Sequence, residues 1–175
     1  MIRDLRLLPS HLWEVRADGG LWRRVVPSPE PAELLDLPVI RLLLDHGAIV
    51  GCSGGGGVPV VTDNGSGRTH GVEAVVDKDL TACLLARQLD ADALLLLLLT
   101  NTAAVQDGYG TPQARAIRRA TPAELRARTF AAGSMGPKVD AACRFVEATG
   151  KLAAIGRLAD ARALLAGTAG TIVAR

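Results

Sequence analysis

Ala93-Leu94-Leu95-Leu96-Leu97-Leu98-Leu99-Thr100 stays apolar until its closing threonine. The run is far shorter than the ~20 residues a membrane-crossing helix requires. It reads as a strand covered on both faces, the usual situation inside a parallel sheet. On its N-terminal side a helical pattern runs from about Asp77 to Leu89, with Leu80, Cys83 and Leu84 pointing inward. On its C-terminal side 101–112 reads as loop, and Thr121-Pro122-Ala123-Glu124 has capping-box spacing with proline at the first helical position. Another helix is expected from Pro137, with Val139, Ala142, Cys143 and Val146 on one face and Gly150 as its stop. A strand over 152–155, a short helix over 158–165 and a last strand over 171–173 follow. Strands alternating with helices predict an α/β domain built on a mainly parallel sheet.

Further from that strand the signals are more local. After a turn at Ala17-Asp18-Gly19-Gly20, residues 21–26 read as a short strand, and Pro27, Pro29 and Pro31 then forbid regular structure. Pro38 is placed to open a helix reaching His46, with Val39, Leu42 and Leu43 on one face and Gly47 as terminator. A strand is expected over 48–52, then Ser53 and four glycines, then a second apolar stretch over 58–61. Asn64-Gly65-Ser66-Gly67 reads as a turn leading to 72–76.

Composition narrows the function. Of 175 residues 49% are hydrophobic and 22% charged, which excludes a disordered or collagen-like chain. With 20 basic against 18 acidic residues the formal charge is +2, too balanced for a dedicated binder of nucleic acid or anionic membrane. Cys52, Cys83 and Cys143 are too few and too dispersed for a disulfide framework or a zinc knuckle. Residues 1–8 alternate charged and apolar side chains and lack a signal-peptide layout. The expectation is a soluble cytoplasmic protein.

Three motifs remain. Gly54-Gly55-Gly56-Gly57 follows a strand-like stretch, where glycine lets backbone N–H groups close on an anion. It is not a Walker loop, because no Gly-Lys-Ser/Thr follows, and Pro59 stands where a dinucleotide fingerprint needs its third glycine. A loose connection is the plain alternative. In Asp77-Lys78-Asp79, Asp77 can cap the helix and Asp79 complements its dipole, whereas Lys78 is a cation in the first turn. Gly133-Ser134-Met135-Gly136-Pro137-Lys138 repeats that placement with Lys138. Each lysine taken alone reads as solvated. Together they read as charge set around an anion near helix N–H donors, and a transferring phosphoryl group is such an anion. His11, His46 and His70 show no metal-ligand spacing and read as surface or loop residues.

In order, Trp22-Arg23-Arg24-Val25-Val26-Pro27-Ser28-Pro29, Ser53-Gly54-Gly55-Gly56-Gly57-Val58-Pro59-Val60, Gly71-Val72-Glu73-Ala74-Val75-Val76-Asp77-Lys78-Asp79-Leu80 and Gly133-Ser134-Met135-Gly136-Pro137-Lys138-Val139 resemble the carbamate kinases of the amino acid kinase family. The match covers about 21–173, leaving 1–20 as an unmatched N-terminal segment and 21–175 as a nucleotide-binding C-terminal part. The resemblance implies a three-layer αβα sandwich, a homodimer, and magnesium-dependent phosphoryl transfer between ATP and carbamate through carbamoyl phosphate and ADP. It implies Lys78 as an active-site lysine, Asp79 as its organiser and Lys138 as a lysine on the phosphoryl group. Gly54, Gly55, Gly56, Gly57, Thr100, Asn101 and Gly136 would contact nucleotide or phosphate, with no protein metal site. Where the family usually reads Thr-Asp-Val, this chain reads Thr100-Asn101-Thr102. The family's N-terminal half, with its Gly-Gly-Asn and His-Gly-Asn-Gly loops for acceptor and phosphate, has no counterpart. Two expectations follow: a carbamate kinase-like phosphotransferase part inactive alone, or a non-catalytic nucleotide-binding or dimerising module.

Overall fold

Turns and caps set the first elements. The computed structural model describes residues 14–18, 20–98, 102–130 and 135–175, and the chain divides after Thr81 into two compact units. In the first, β1 (Glu14–Asp18) pairs antiparallel with β2 (Leu21–Val25). Gly20 takes a φ of 86° at their turn, a left-handed value that glycine reaches without a Cβ clash. The weak patterning before residue 20 gave no sign of β1. The proline-rich stretch that follows is coil, held where Val75 N–H donates to Pro27 O at 2.9 Å and where Arg24 pairs with Glu73.

Helix α1 (Leu37–Asp45) carries Pro38 in its first turn, where a missing N–H is harmless, and ends at His46 before Gly47. Its expected inward face is not covered. Val39 and Leu42 are each 57% exposed, and Ile40 is the residue of the helix that is buried. The strand expected over 48–52 is also corrected, because 48–53 is coil. A strand needs a neighbour for its N–H and C=O groups, and among the described residues none pairs with this stretch. β3 (Val60–Thr62) and β4 (Thr69–Gly71) then form a hairpin across the predicted turn. Helix α2 (Lys78–Gln88) runs through the division between the units.

The second unit is organised by a four-stranded sheet in the order β5 (Ala93–Leu98), β9 (Leu152–Arg157), β10 (Thr171–Val173), β8 (Arg119–Ala120). β5–β9 and β10–β8 are parallel and β10–β9 antiparallel, so the sheet is mixed with parallel pairs in the majority. β6 (Gln106–Asp107) and β7 (Arg115–Ala116) make a small hairpin, which places paired backbone inside the stretch expected to be loop. α3 (Pro122–Arg126) and α4 (Met135–Thr149) follow, the latter beginning two residues before Pro137. A 3-10 turn (Leu158–Asp160) leads into α5 (Ala161–Leu165), together filling the helix expected over 158–165.

Strand alternation assigns the layers. Ala154 of β9 packs with Leu164 of α5 and Ile172 of β10. A Cβ on Gly156, two residues along the same face, would stand 2.6 Å from Leu164, so this position admits glycine because α5 lies against it. Ala153 and Ile155, also fully buried, face the other way, and α4 packs on β9, β5 and β10. Helix, sheet and helix thus form three layers, as the αβα expectation required. The face of α4 reads as predicted: Val139, Ala142, Cys143 and Val146 are buried, with Phe145 beside them. Thr171 is a fully buried polar side chain here. Its hydroxyl donates to Ile117 O at 2.6 Å and accepts from Val105 N–H at 2.8 Å.

Candidate functional site

The first group of site residues is assembled in the first unit by one close approach. Gly56 is buried with a φ of 93°, and a Cβ there would lie 2.0 Å from Val76 O. Only glycine lets the loop press this closely on the backbone entering α2. Gly56 N–H donates to Ser53 O at 2.9 Å, closing the turn, and Ser53 itself has a φ of 58°. By contrast a Cβ on Gly54, Gly55 or Gly57 would meet nothing within 4 Å. Those three face open space beside a clamped Gly56.

The first turn of α2 is built as the sequence predicted. Asp77 Oδ1 accepts from Asp79 N–H at 2.8 Å and Leu80 N–H at 3.1 Å, satisfying two of the helix's unpaired donors. Lys78 is exposed, while Asp79 is 7% exposed and so nearly buried. Sequence reasoning missed Thr81. Its fully buried hydroxyl lies 3.0 Å from Gly56 O and 3.0 Å from Asp77 O, linking the glycine loop to the helix. A threonine four residues after the capping aspartate was the available signal, but only the fold brings residue 56 to it. The loop also borders a cleft of about 590 Å³ in the first unit, lined by Gly56, Gly57, Ser53, Val76 and, from α1, Val39 and Ile40.

The second group lies in the second unit, on the first turn of α4. Gly136 and Lys138 are half-buried there. Thr100 and Asn101 lie outside the described residues, as do Gly133 and Ser134. The direction of α4 is set by its ties to α3. Arg126 forks onto both carboxylate oxygens of Glu147 at 2.8 and 2.9 Å and reaches Asp140 at 3.2 Å. The hydrogen bond from Arg126 holds the Glu147 carboxyl below its usual range, and the same pairing raises the guanidinium further. In the capping box of α3, Thr121 N–H donates to Glu124 at 2.8 Å and lowers that carboxyl as well. Burial pushes the Cys143 thiol up to about 11, which keeps it protonated and structural.

Two anion-compatible features therefore stand on rigid elements: a glycine loop clamped to a capped helix start, and a lysine in the first turn of a long helix. Among the described residues no group of three or more His, Cys, Asp or Glu side chains is placed to hold a metal, and none of the helices is long and apolar enough to cross a membrane. His46 and His70 are exposed, as expected; His11 lies outside the described residues.

Comparison with known proteins gives these features a context. The family model described as "Amino acid kinase family" matches residues 2–156. A carbamate kinase of Rhizobium meliloti is 52% identical over 162 residues, which are 92% of this chain and 49% of the relative. That of Escherichia coli (strain K12) is 52% identical over 161 residues, 92% of this chain and 52% of the relative. The structure of the Giardia lamblia carbamate kinase bound to AMP-PNP superposes with a TM-score of 0.83 at 41% identity, covering 93% of this chain and 52% of that one. The chain spans about half the length of the relatives it matches.

Proposed function

The chain belongs to the amino acid kinase family, and from that premise we propose that it is the nucleotide-binding part of a carbamate kinase-like phosphotransferase. The reaction proposed is reversible transfer of a phosphoryl group between ATP and carbamate by way of carbamoyl phosphate and ADP. One observation carries the reading: the glycine loop is locked by Gly56 against the entry to α2, so that loop and Asp77-Lys78-Asp79 form one unit of structure. A glycine loop that crosses a helix start at contact distance costs conformational freedom. That cost has a purpose where backbone amides must reach a phosphate.

In this reading the open glycines Gly54, Gly55 and Gly57 offer N–H groups to phosphate oxygens. Lys78 and Lys138 are assigned as the lysines that supply positive charge to a transferring phosphoryl group, with Asp79 as the organiser of Lys78. Gly136 lets the backbone at α4 approach the nucleotide, and Thr100 and Asn101, outside the described residues, are assigned to contact it as well. Magnesium enters with ATP or ADP, because Mg²⁺ is commonly held by one or two carboxylates together with substrate phosphates. When bound it neutralises charge developing on the phosphate oxygens. The Giardia lamblia relative is a carbamate kinase bound to AMP-PNP; for this chain we propose the same classes of nucleotide and acceptor, a homodimer and a cytoplasmic setting.

The test is calorimetry with magnesium-ADP on the chain, its fold checked by circular dichroism. Heat of binding at millimolar nucleotide, reduced in Lys138→Ala, is the expected result. A folded chain giving no heat overturns the reading. A second reading, a nucleotide-binding or dimerising module without catalysis, is favoured by the uncovered apolar face of α1.

A further inference from the structure

We propose that Thr81 is a positioning residue whose hydroxyl, acting through the Gly56 carbonyl, holds the 54–57 loop in the shape that receives a phosphate. The inference rests on the reading of that loop as a nucleotide site, and it adds a residue that neither glycine pattern nor lysine placement points to.

A threonine hydroxyl has a single hydrogen to donate, and here two carbonyls stand equally far from it, Asp77 O and Gly56 O at 3.0 Å. Donation to the carbonyl four residues back is common for a helical threonine and tells little. The contact to Gly56 is different in kind, because it spans 25 residues of sequence and joins a loop to a helix. Thr81 is fully buried and Gly56 is buried, so water is not at hand to replace the hydroxyl.

The loop has reason to need holding. Ser53, Gly56 and Gly57 have φ of 58°, 93° and 90°, and the first is a value that residues with a Cβ rarely adopt. On one side Val76 O limits how closely Gly56 can approach. On the other the Thr81 hydroxyl draws its carbonyl in. The Gly56 carbonyl shares its peptide plane with the Gly57 N–H, so holding that carbonyl toward the helix fixes the direction of the Gly57 amide. Thr81 acts through the Gly56 carbonyl and not on the ligand itself.

The test uses the whole chain and three variants: Thr81→Val, which keeps the shape without the hydroxyl, Thr81→Ala as a second hydroxyl-free variant should the first not fold, and Thr81→Ser, which restores the hydroxyl. Hydrogen exchange is followed on peptides covering 53–60 and 82–88, and magnesium-ADP and pyrophosphate affinities by calorimetry. Loss of one neutral hydrogen bond is expected to speed exchange in the loop about tenfold and to weaken both ligands by a similar factor. Exchange over 82–88 should stay unchanged, and Thr81→Ser should match the wild type in both readouts. Unchanged loop exchange in the hydroxyl-free variants overturns the proposal, as does a loosened loop with undiminished affinity, or a serine variant that behaves like valine. A wild-type chain that binds neither ligand overturns the nucleotide reading instead, and the exchange comparison still decides whether Thr81 holds the loop.

Discussion

Thr171 shows how much a single side chain does in this fold. It is fully buried at the start of β10, and its hydroxyl satisfies the Val105 N–H and the Ile117 carbonyl together. Thr171→Val preserves the shape but leaves both backbone groups buried without that partner, so a loss of about 2–4 kcal/mol is expected in urea unfolding. Thr171→Ser should recover most of it; a stable Thr171→Val beside a destabilised Thr171→Ser would show that the methyl, not the hydroxyl, matters. Gly56 makes a parallel case. An alanine Cβ would stand 2.0 Å from Val76 O at a φ of 93°, so Gly56→Ala should displace the loop and abolish magnesium-ADP binding. Gly54→Ala and Gly55→Ala meet open space and should stay within about 0.5 kcal/mol of wild-type stability. A thermal melt and a binding isotherm on the three variants separate the glycine of this loop that the packing needs from those the ligand would use. The glycine run and both lysines were legible in sequence because each offends a local rule, an entropy cost or a helix dipole. Thr81 offends none, and its importance exists only once residue 56 is beside it.

Among the elements, those with local signals were the ones that could be read. The capping box at Thr121 marks the start of α3, apolar spacing marks the buried face of α4, and glycine-bounded apolar runs mark β9 and β10. Two-residue strands such as β6, β7 and β8 are too short to show an alternation, and the 48–52 stretch has strand chemistry without a described partner. Pairing is a property of two segments, and one segment's pattern cannot supply it. The α3–α4 junction adds an acid-sensitive tie. Arg126 holds the Glu147 carboxyl below its ordinary value of 4.5, so the folded state binds this proton less readily than the unfolded chain. The resulting stability is present above that value and is lost as pH falls through the lowered folded one. Both side chains are nearly half exposed, so solvent screening limits the pair to under about 1 kcal/mol. Glu147→Gln should therefore lower the melting temperature modestly at pH 7, and its difference from wild type should close as pH drops below the ordinary carboxylate range. A constant difference across that range would assign the effect to packing.

At the scale of the whole molecule, the chain covers 49% of the Rhizobium meliloti relative, and one helix face in the first unit looks like a surface meant to be covered. Val39, Leu42 and Leu43, on one face of α1, are 57%, 57% and 43% exposed, and Ile49 beyond it is fully exposed. Apolar residues grouped this way mark an interaction surface more often than ordinary exterior. The occupant we expect is the rest of the amino acid kinase fold, whose strands would also pair with the 48–52 stretch. In-line phosphoryl transfer needs acceptor and donor aligned in one closed site, and alignment supplies much of the rate. If the glycine loop, Lys78 and Lys138 serve the nucleotide as proposed, the acceptor is expected to be held by the remaining half of the fold. The 175-residue chain is therefore expected to bind ADP yet form no ATP from carbamoyl phosphate above background, and to gain activity when a polypeptide carrying the remaining half is added. A coupled assay for ATP checks this, with Lys138→Ala as control for the site. Leu42→Asp, a change on an already exposed position, should leave the melting temperature of the chain nearly unchanged while blocking the gain. Lys138-dependent turnover by the chain alone would overturn the expectation, because the acceptor would then have to be bound by residues within this half. A gain that survives Leu42→Asp would instead move the docking surface away from α1.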